Sequence, residues 1–248
     1  MSERRSWLEG WRLLAVLCVS LVALSLWIAS MRQFEVEGVR TVIRFTARSS
    51  LLLFCLAFSA AALARLWPNA WTRWQKRNRR YLGLSFAASH AIHAAAIMTF
   101  AGMDPAGFAE ATSAASYVFG GIGYGFIIAM GATSFDRTAA LIGPRAWRAL
   151  HLVGGYYLWL QFMVSFGKRV PTMPLYAAFL LPLLIVLALR MIAMARDPRG
   201  RPSRRADATP YLAGAEPLNC ASGRGKNERA MSRRDEKSET AVCDLARP

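Results

Sequence analysis

The chain has 248 residues, of which 54% are hydrophobic and 19% charged, and its formal net charge is +16. A soluble domain of this length alternates apolar and polar residues finely, whereas here the apolar residues come in blocks; a hydrocarbon core of roughly 30 Å takes about 20 such residues at ~1.5 Å rise each. The blocks hold no aspartate or glutamate, which argues against an ion-coupled transporter, and no GxGxxG follows a strand pattern, which argues against a nucleotide domain of its own.

In chain order, residues 1–12 form a short basic N-terminus with Arg4, Arg5 and Arg12. Residues 13–196 hold six apolar blocks, at 13–31, 49–67, 82–101, 116–134, 147–166 and 173–195. The first is too long for the apolar part of a signal peptide and lacks a small-x-small cleavage site, so it reads as a retained helix. Glycines in the fourth and fifth blocks are tolerated in a bundle, where neighbouring helices satisfy a bent backbone. The expected fold class is an all-α integral membrane protein, a six-helix transmembrane bundle. Residues 197–248 are rich in Arg, Ser, Gly and Pro and read as a disordered, solvated tail whose arginines can meet anionic lipid headgroups. Cys18 and Cys55 fall inside blocks as apolar fillers, and Cys220 and Cys243 fall in the tail without CxxC spacing, so no disulfide framework or zinc site is implied.

Lysine and arginine set the orientation. The loop between the second and third blocks carries Arg73, Lys76, Arg77, Arg79 and Arg80, and the loop between the fourth and fifth carries Arg137, Arg145 and Arg148. The loop between the third and fourth has neither residue type, whereas the first loop runs against the pattern with Arg32, Arg40, Arg44 and Arg48. The balance places both termini in the cytoplasm, as an even number of spans requires. The cluster WTRWQKRNRR (71–80) reads as a topology anchor with interfacial tryptophans, and no nucleic-acid partner is expected. GGIGYG (120–125) lies within an apolar block and reads as close helix packing rather than a phosphate loop.

The strongest polar signal at depth is histidine. The chain has three, His90, His93 and His151, and all lie in predicted spans. Ionisable groups inside a membrane are functional candidates, and neutral imidazole is a common ligand of haem and metals. His90 and His93 stand three residues apart, hence roughly 60° apart on one helical face. Alanines surround them, and Gly154 and Gly155 follow His151 on its own face, which leaves room for a flat macrocycle. The bland alternative is histidines that bond neighbouring carbonyls in a bundle whose small residues only pack. Zinc or copper would want further ligands, and no aspartate, glutamate or cysteine lies at matching depth on the third or fifth span.

Four stretches carry a resemblance: FTARSSL (45–51), RRYLGLSFAASHAIH (79–93), ATSFDRTAALIG (132–143) and GPRAWRALH (143–151). In order and spacing they resemble the ferric-reductase-like transmembrane domain family, most closely the haem-binding membrane subunit of bacterial periplasmic methionine-sulfoxide reductase systems. The resemblance implies a bacterial inner-membrane protein that binds b-type haem by histidines of the third and fifth helices. It implies an electron-transfer (oxidoreductase) subunit that passes electrons to an acceptor on the outer side. The donor would be a separate cytoplasmic flavin reductase or a membrane quinol, and the acceptor a periplasmic redox partner. His93 falls on the family's third-helix histidine and His151 on its first fifth-helix histidine. The family's further fifth-helix histidine is Val164 here, so one haem is expected, with two left open. His90 is additional; a crude depth ruler from the span starts brings it nearer to His151 than His93. Either could pair with His151 on iron. A haem-free membrane assembly or interaction module, keeping the family bundle, is the alternative.

Overall fold

The computed structural model of the protein describes residues 8–196, and within them the chain is all helical. The predicted tail, 197–248, and residues 1–7 lie outside the described residues. Helices α1 (Trp11–Met31), α2 (Val36–Leu66), α3 (Ala70–Arg77), α4 (Arg79–Met103), α5 (Pro105–Ala111), α6 (Ala114–Ala132), α7 (Asp136–Gly167) and α8 (Ala177–Ala195) follow in order, with a short 3-10 turn at Pro174–Tyr176 before α8. Five segments are long and apolar enough to cross a membrane: α1, α2, α4, α6 and Pro174–Ala195. By length and composition they mark a multi-pass membrane protein.

The expected fifth block is the second half of α7. That helix is broken at Gly143, whose φ of 75° and ψ of 165° are reached readily only without a Cβ, and Pro144 follows. The part beyond the break is long enough to cross, but His151, Gln161 and its polar-tipped aromatics make it less apolar than the other five. Trp147 closes the junction by donating its indole N–H to the Thr133 carbonyl at the end of α6, at 2.9 Å.

α2 is longer than its apolar block. It starts at Val36 and carries Arg40, Arg44 and Arg48, so these residues are helical and not in the expected first loop, because the helix begins well before the apolar run. Spaced four apart, they share one helical face. Arg44 pairs with Glu37 at 3.0 Å, Arg40 lies over the Phe100 ring at 4.7 Å, and Arg48 lies over Phe179 at 5.3 Å. The chain reverses before α2 through Gln33 and Phe34, both at positive φ.

α2 is the central helix and packs on α1, α3, α4 and α8, while α6 packs on α7. Among the described residues the largest fully buried side chains are Leu51 and Leu183 with the polar Thr46, Ser50, Gln75, Ser85 and Ser89. Large apolar residues such as Val19, Leu26, Phe119, Ile128 and Leu181 point outward. A soluble domain buries its apolar side chains. A bundle in lipid gains nothing by that and instead uses small and hydroxyl side chains between helices. Here buried apolar clusters coexist with buried hydroxyls between helices and with large apolar side chains on the outside.

Candidate functional site

The α2–α4 contact is lined with hydroxyls. Ser50 donates to Ser89 Oγ at 2.8 Å, Ser49 and Ser89 stand 3.0 Å apart, and Ser89 donates to the Thr46 carbonyl at 3.3 Å. Serine and threonine are small enough to let two backbones approach, and each places its oxygen where the other helix can use it. At the same level Thr46 Oγ1 lies 2.9 Å from His93 Nδ1. Ser85, Ser89 and His93 are spaced four apart, so this stripe of α4 turns towards α2.

His90 belongs to a neighbouring stripe. Its ring stands 4.8 Å from Phe86, 5.7 Å from Tyr124 of α6 and 5.9 Å from Phe162 of α7, edge-on to the last. Its Nδ1 is buried and has no hydrogen-bond partner. The two α4 imidazoles are close, with centroids 5.6 Å apart.

α4 and α7 do not pack closely on each other, and part of the space between them is a cavity of about 710 Å³. That volume lies in the range of small-molecule and cofactor sites, about 300–1,000 Å³. Gly83, Phe86 and Ala87 of α4 form one wall, His151 and Gly155 of α7 another, and Phe54 and Phe58 of α2 contribute rings. Gly83 and Ala87 lead along α4 to His90, one turn further in.

The mouth is basic. Lys76, Arg77, Arg79, Arg80, Arg148 and Arg190 line the cavity together with a single carboxylate, Asp136. Arg80 pairs with Asp136 at 3.3 Å, and Arg77 with Glu9 at 3.1 Å. Arg190 is held by the protein itself: it donates to the Phe58 carbonyl at 3.0 Å and to the Tyr156 hydroxyl at 3.4 Å, and its guanidinium lies 4.0 Å over the Phe58 ring. A fixed cation at the inner edge of a basic mouth suits an anionic group on an otherwise apolar ligand.

His151 is half-buried on this wall, beneath the Trp147 ring at 4.4 Å. Its Nε2 makes a long contact of 3.4 Å to Thr133 Oγ1, which donates to the Ala129 carbonyl at 2.7 Å. The predicted site residues are therefore brought together in part: His90 stands beside His93, whereas His151 lines the cavity with Gly155. Gly154 faces elsewhere. A Cβ there would stand 2.9 Å from Met130 Sδ and from Phe126 Cδ1, so this glycine admits α6. At Gly155 a Cβ would meet Phe58 at 3.0 Å, at the cavity edge. Among the described residues no group of three or more His, Cys, Asp and Glu side chains could hold a metal ion by itself.

Thr46, Ser89, Thr133 and Arg190 were missed as site residues from sequence. Hydroxyls in and beside apolar blocks carry no periodic signal, and a lone arginine near a helix end can simply reach for the headgroups. The usable signal was the run of Thr46, Ser49 and Ser50 opposite Ser85 and Ser89. No family model, no curated protein and no solved structure matches the chain. The likeness to the ferric-reductase-like family rests on the four stretches quoted above.

Proposed function

We propose that the protein is a b-type haem-binding electron carrier of the bacterial inner membrane, a ferric-reductase-like six-helix bundle in which the second half of α7 is the additional crossing. The observation that carries this reading is the cavity: about 710 Å³, aromatic walls, an imidazole on one side and a basic mouth. Of the donor set, His151 lines the cavity; the α4 histidines stand beyond its α4 wall, His90 with a buried Nδ1 that has no partner and His93 with its Nδ1 against Thr46. A buried imidazole atom without a partner is costly unless something meets it.

Haem, when bound, supplies the one-electron iron couple. The chain's residues do the rest. The imidazoles of His151 and of His93 or His90 hold the iron. Phe54, Phe58 and Phe86 keep water from it, and Arg79, Arg148 and Arg190 receive carboxylate charge at the mouth. By the lysine and arginine bias of the loops, that mouth and both termini would face the cytoplasm. The chain would take electrons from a separate flavin reductase or a membrane quinol and deliver them to a periplasmic redox partner.

The test is a dithionite-reduced minus oxidised absorption spectrum of purified protein from haem-fed cells, with a pyridine haemochrome assay. The expected result is sharp b-type bands and about one haem per chain, lost in His151→Ala; separate His90→Ala and His93→Ala variants identify the partner. Full haem with an unchanged spectrum in His151→Ala overturns the ligand assignment. A second reading, the haem-free assembly module, draws on one observation: His93 and His151 already meet hydroxyls of neighbouring helices, Thr46 and Thr133. Absence of haem from the haem-fed preparation would select it.

A further inference from the structure

Two of the cations that run against the charge bias of the loops meet on one ring. Arg48 ends the arginine face of α2, just before its apolar run, and Arg169 lies just beyond α7. Each guanidinium stands 5.8 Å from the centroid of the Tyr176 ring, and Arg48 also lies 5.3 Å over Phe179. Tyr176 is buried, and Phe166 and Phe179 hold it in a cluster of rings whose centroids are 5.4 to 5.9 Å apart. The turn that carries Arg169 is fixed as well: its carbonyl accepts from the Met173 amide at 2.9 Å and from the Thr172 hydroxyl at 3.0 Å. Arg48 and Arg169 are both exposed. A guanidinium laid on an aromatic face keeps its in-plane N–H groups for an acceptor. Arg44, one turn from Arg48, gives one of its own to Glu37 at 3.0 Å; among the described residues neither Arg48 nor Arg169 has a carboxylate partner.

We infer that Arg48 and Arg169, backed by Tyr176 and Phe179, form a site for the phosphate of an anionic phospholipid. The inference needs a chain that crosses the membrane and does not rest on the haem reading. Depth supports it. α2 and α8 run away from this end and α7 runs towards it, so two apolar runs start here, at 49 and 173, and a third ends here, at 166. That is the level at which headgroups lie, with amphipathic aromatic rings beside them. Further along α8, Leu181, Leu184 and Ile185 are exposed and offer apolar surface to acyl chains. Charge selects the lipid. Two cations without a counter-ion favour a headgroup whose phosphate is not already neutralised by its own ammonium. An orienting role does not account for them, because the lysine and arginine bias assigns this end to the side poor in cations. A bound anion does.

The experiment uses the full chain in vesicles, with photoreactive benzoylphenylalanine in place of Leu175, which is exposed beside Tyr176. The tracers are radiolabelled phosphatidylglycerol and phosphatidylcholine in otherwise identical bilayers. With both arginines intact, phosphatidylglycerol should label the chain in clear preference to phosphatidylcholine. Arg48→Gln and Arg169→Gln should each lower phosphatidylglycerol labelling about 5-fold, and the double variant about 30-fold, with phosphatidylcholine labelling unchanged. Arg44→Gln, which removes a cation already paired, is the control and should change little. Equal labelling by the two tracers with the arginines intact overturns the proposal, and that comparison stands even if an arginine variant fails to fold. An undiminished preference for phosphatidylglycerol in a folded double variant overturns the assignment to these two residues. Displacement of the lipid by inorganic phosphate, at an ionic strength matched with chloride, makes the occupant a free ion and overturns the lipid assignment. A protein adduct instead of a lipid adduct in intact cells makes this end a partner's docking site and likewise overturns it. The same outcomes are expected with or without haem in the preparation, so failure of the haem reading leaves this test intact.

Discussion

Gly154 separates packing from cofactor room. A Cβ at this position would lie 2.9 Å from Met130 Sδ and from Phe126 Cδ1, and 3.4 Å from Phe126 Cγ. The Met130 side chain can swing; the Phe126 ring is less able to. Overpacking of this kind costs about 1–3 kcal/mol. Alanine also gains up to about 1 kcal/mol over glycine in helix propensity. Gly154→Ala should therefore lose roughly 0–2 kcal/mol net from these two effects. Gly121 on α6 is the control: it is exposed, and nothing lies within 4 Å of a Cβ built there. Gly121→Ala should gain the propensity alone, so the two variants should differ by about 1–3 kcal/mol, the clash itself. The assay is reversible unfolding in mixed micelles followed by circular dichroism, on haem-free protein. Adding Met130→Ala to Gly154→Ala should recover part of the loss. Equal shifts for the two single variants would refute the close α6–α7 contact. Loss of haem with unchanged stability of the haem-free protein would return Gly154 to the cofactor's surroundings.

Other outcomes follow from the same geometry. Ser50→Ala and Ser89→Ala should couple by about 0.6 kcal/mol in a double-mutant cycle, the usual size for a hydrogen bond between membrane helices, read by the same unfolding assay; strict additivity would remove their bond. Ala87→Trp places a large side chain in the cavity and leaves all three histidines in the sequence, so the purified variant should lose its haem bands while the haem-free protein stays folded by circular dichroism. Arg190→Met keeps the apolar stem but loses two hydrogen bonds and a stacked guanidinium, which should cost about 2 kcal/mol of unfolding free energy and lower haem retention.

Much of the helical outline was legible because apolar runs of membrane length have few other meanings. The block at 13–31 became Trp11–Met31, that at 82–101 lies inside Arg79–Met103, and that at 173–195 is matched by Pro174–Ala195. The start of α2 was not legible. Arg40, Arg44 and Arg48 interrupt the apolar run, and only their spacing of four shows that they share one face and can meet the rings of Phe100 and Phe179. The break in α7 was half legible, since Gly143 and Pro144 mark a turn but say nothing of Trp147 reaching back to Thr133. The histidines stood out by rarity. The cavity did not, because it arises where α4 and α7 fail to pack, and a missing contact leaves no periodic trace.

The two histidines of α4 look like alternatives in sequence, three residues apart on one face. Their surroundings make them different groups. Gly83, Ala87 and His90 form a stripe that borders the cavity and continues towards Tyr124 and Phe162. Ser89 and His93 form a stripe that meets the hydroxyls of α2. One ring has its Nδ1 unpartnered among aromatic edges, and the other has its Nδ1 bonded to Thr46. A protein that needed only one ligand from α4 would gain nothing from equivalent rings. The fold gives them inequivalent ones, so neither should stand in for the other: loss of whichever ring serves as ligand should not be rescued by its neighbour, although the two stand only 5.6 Å apart.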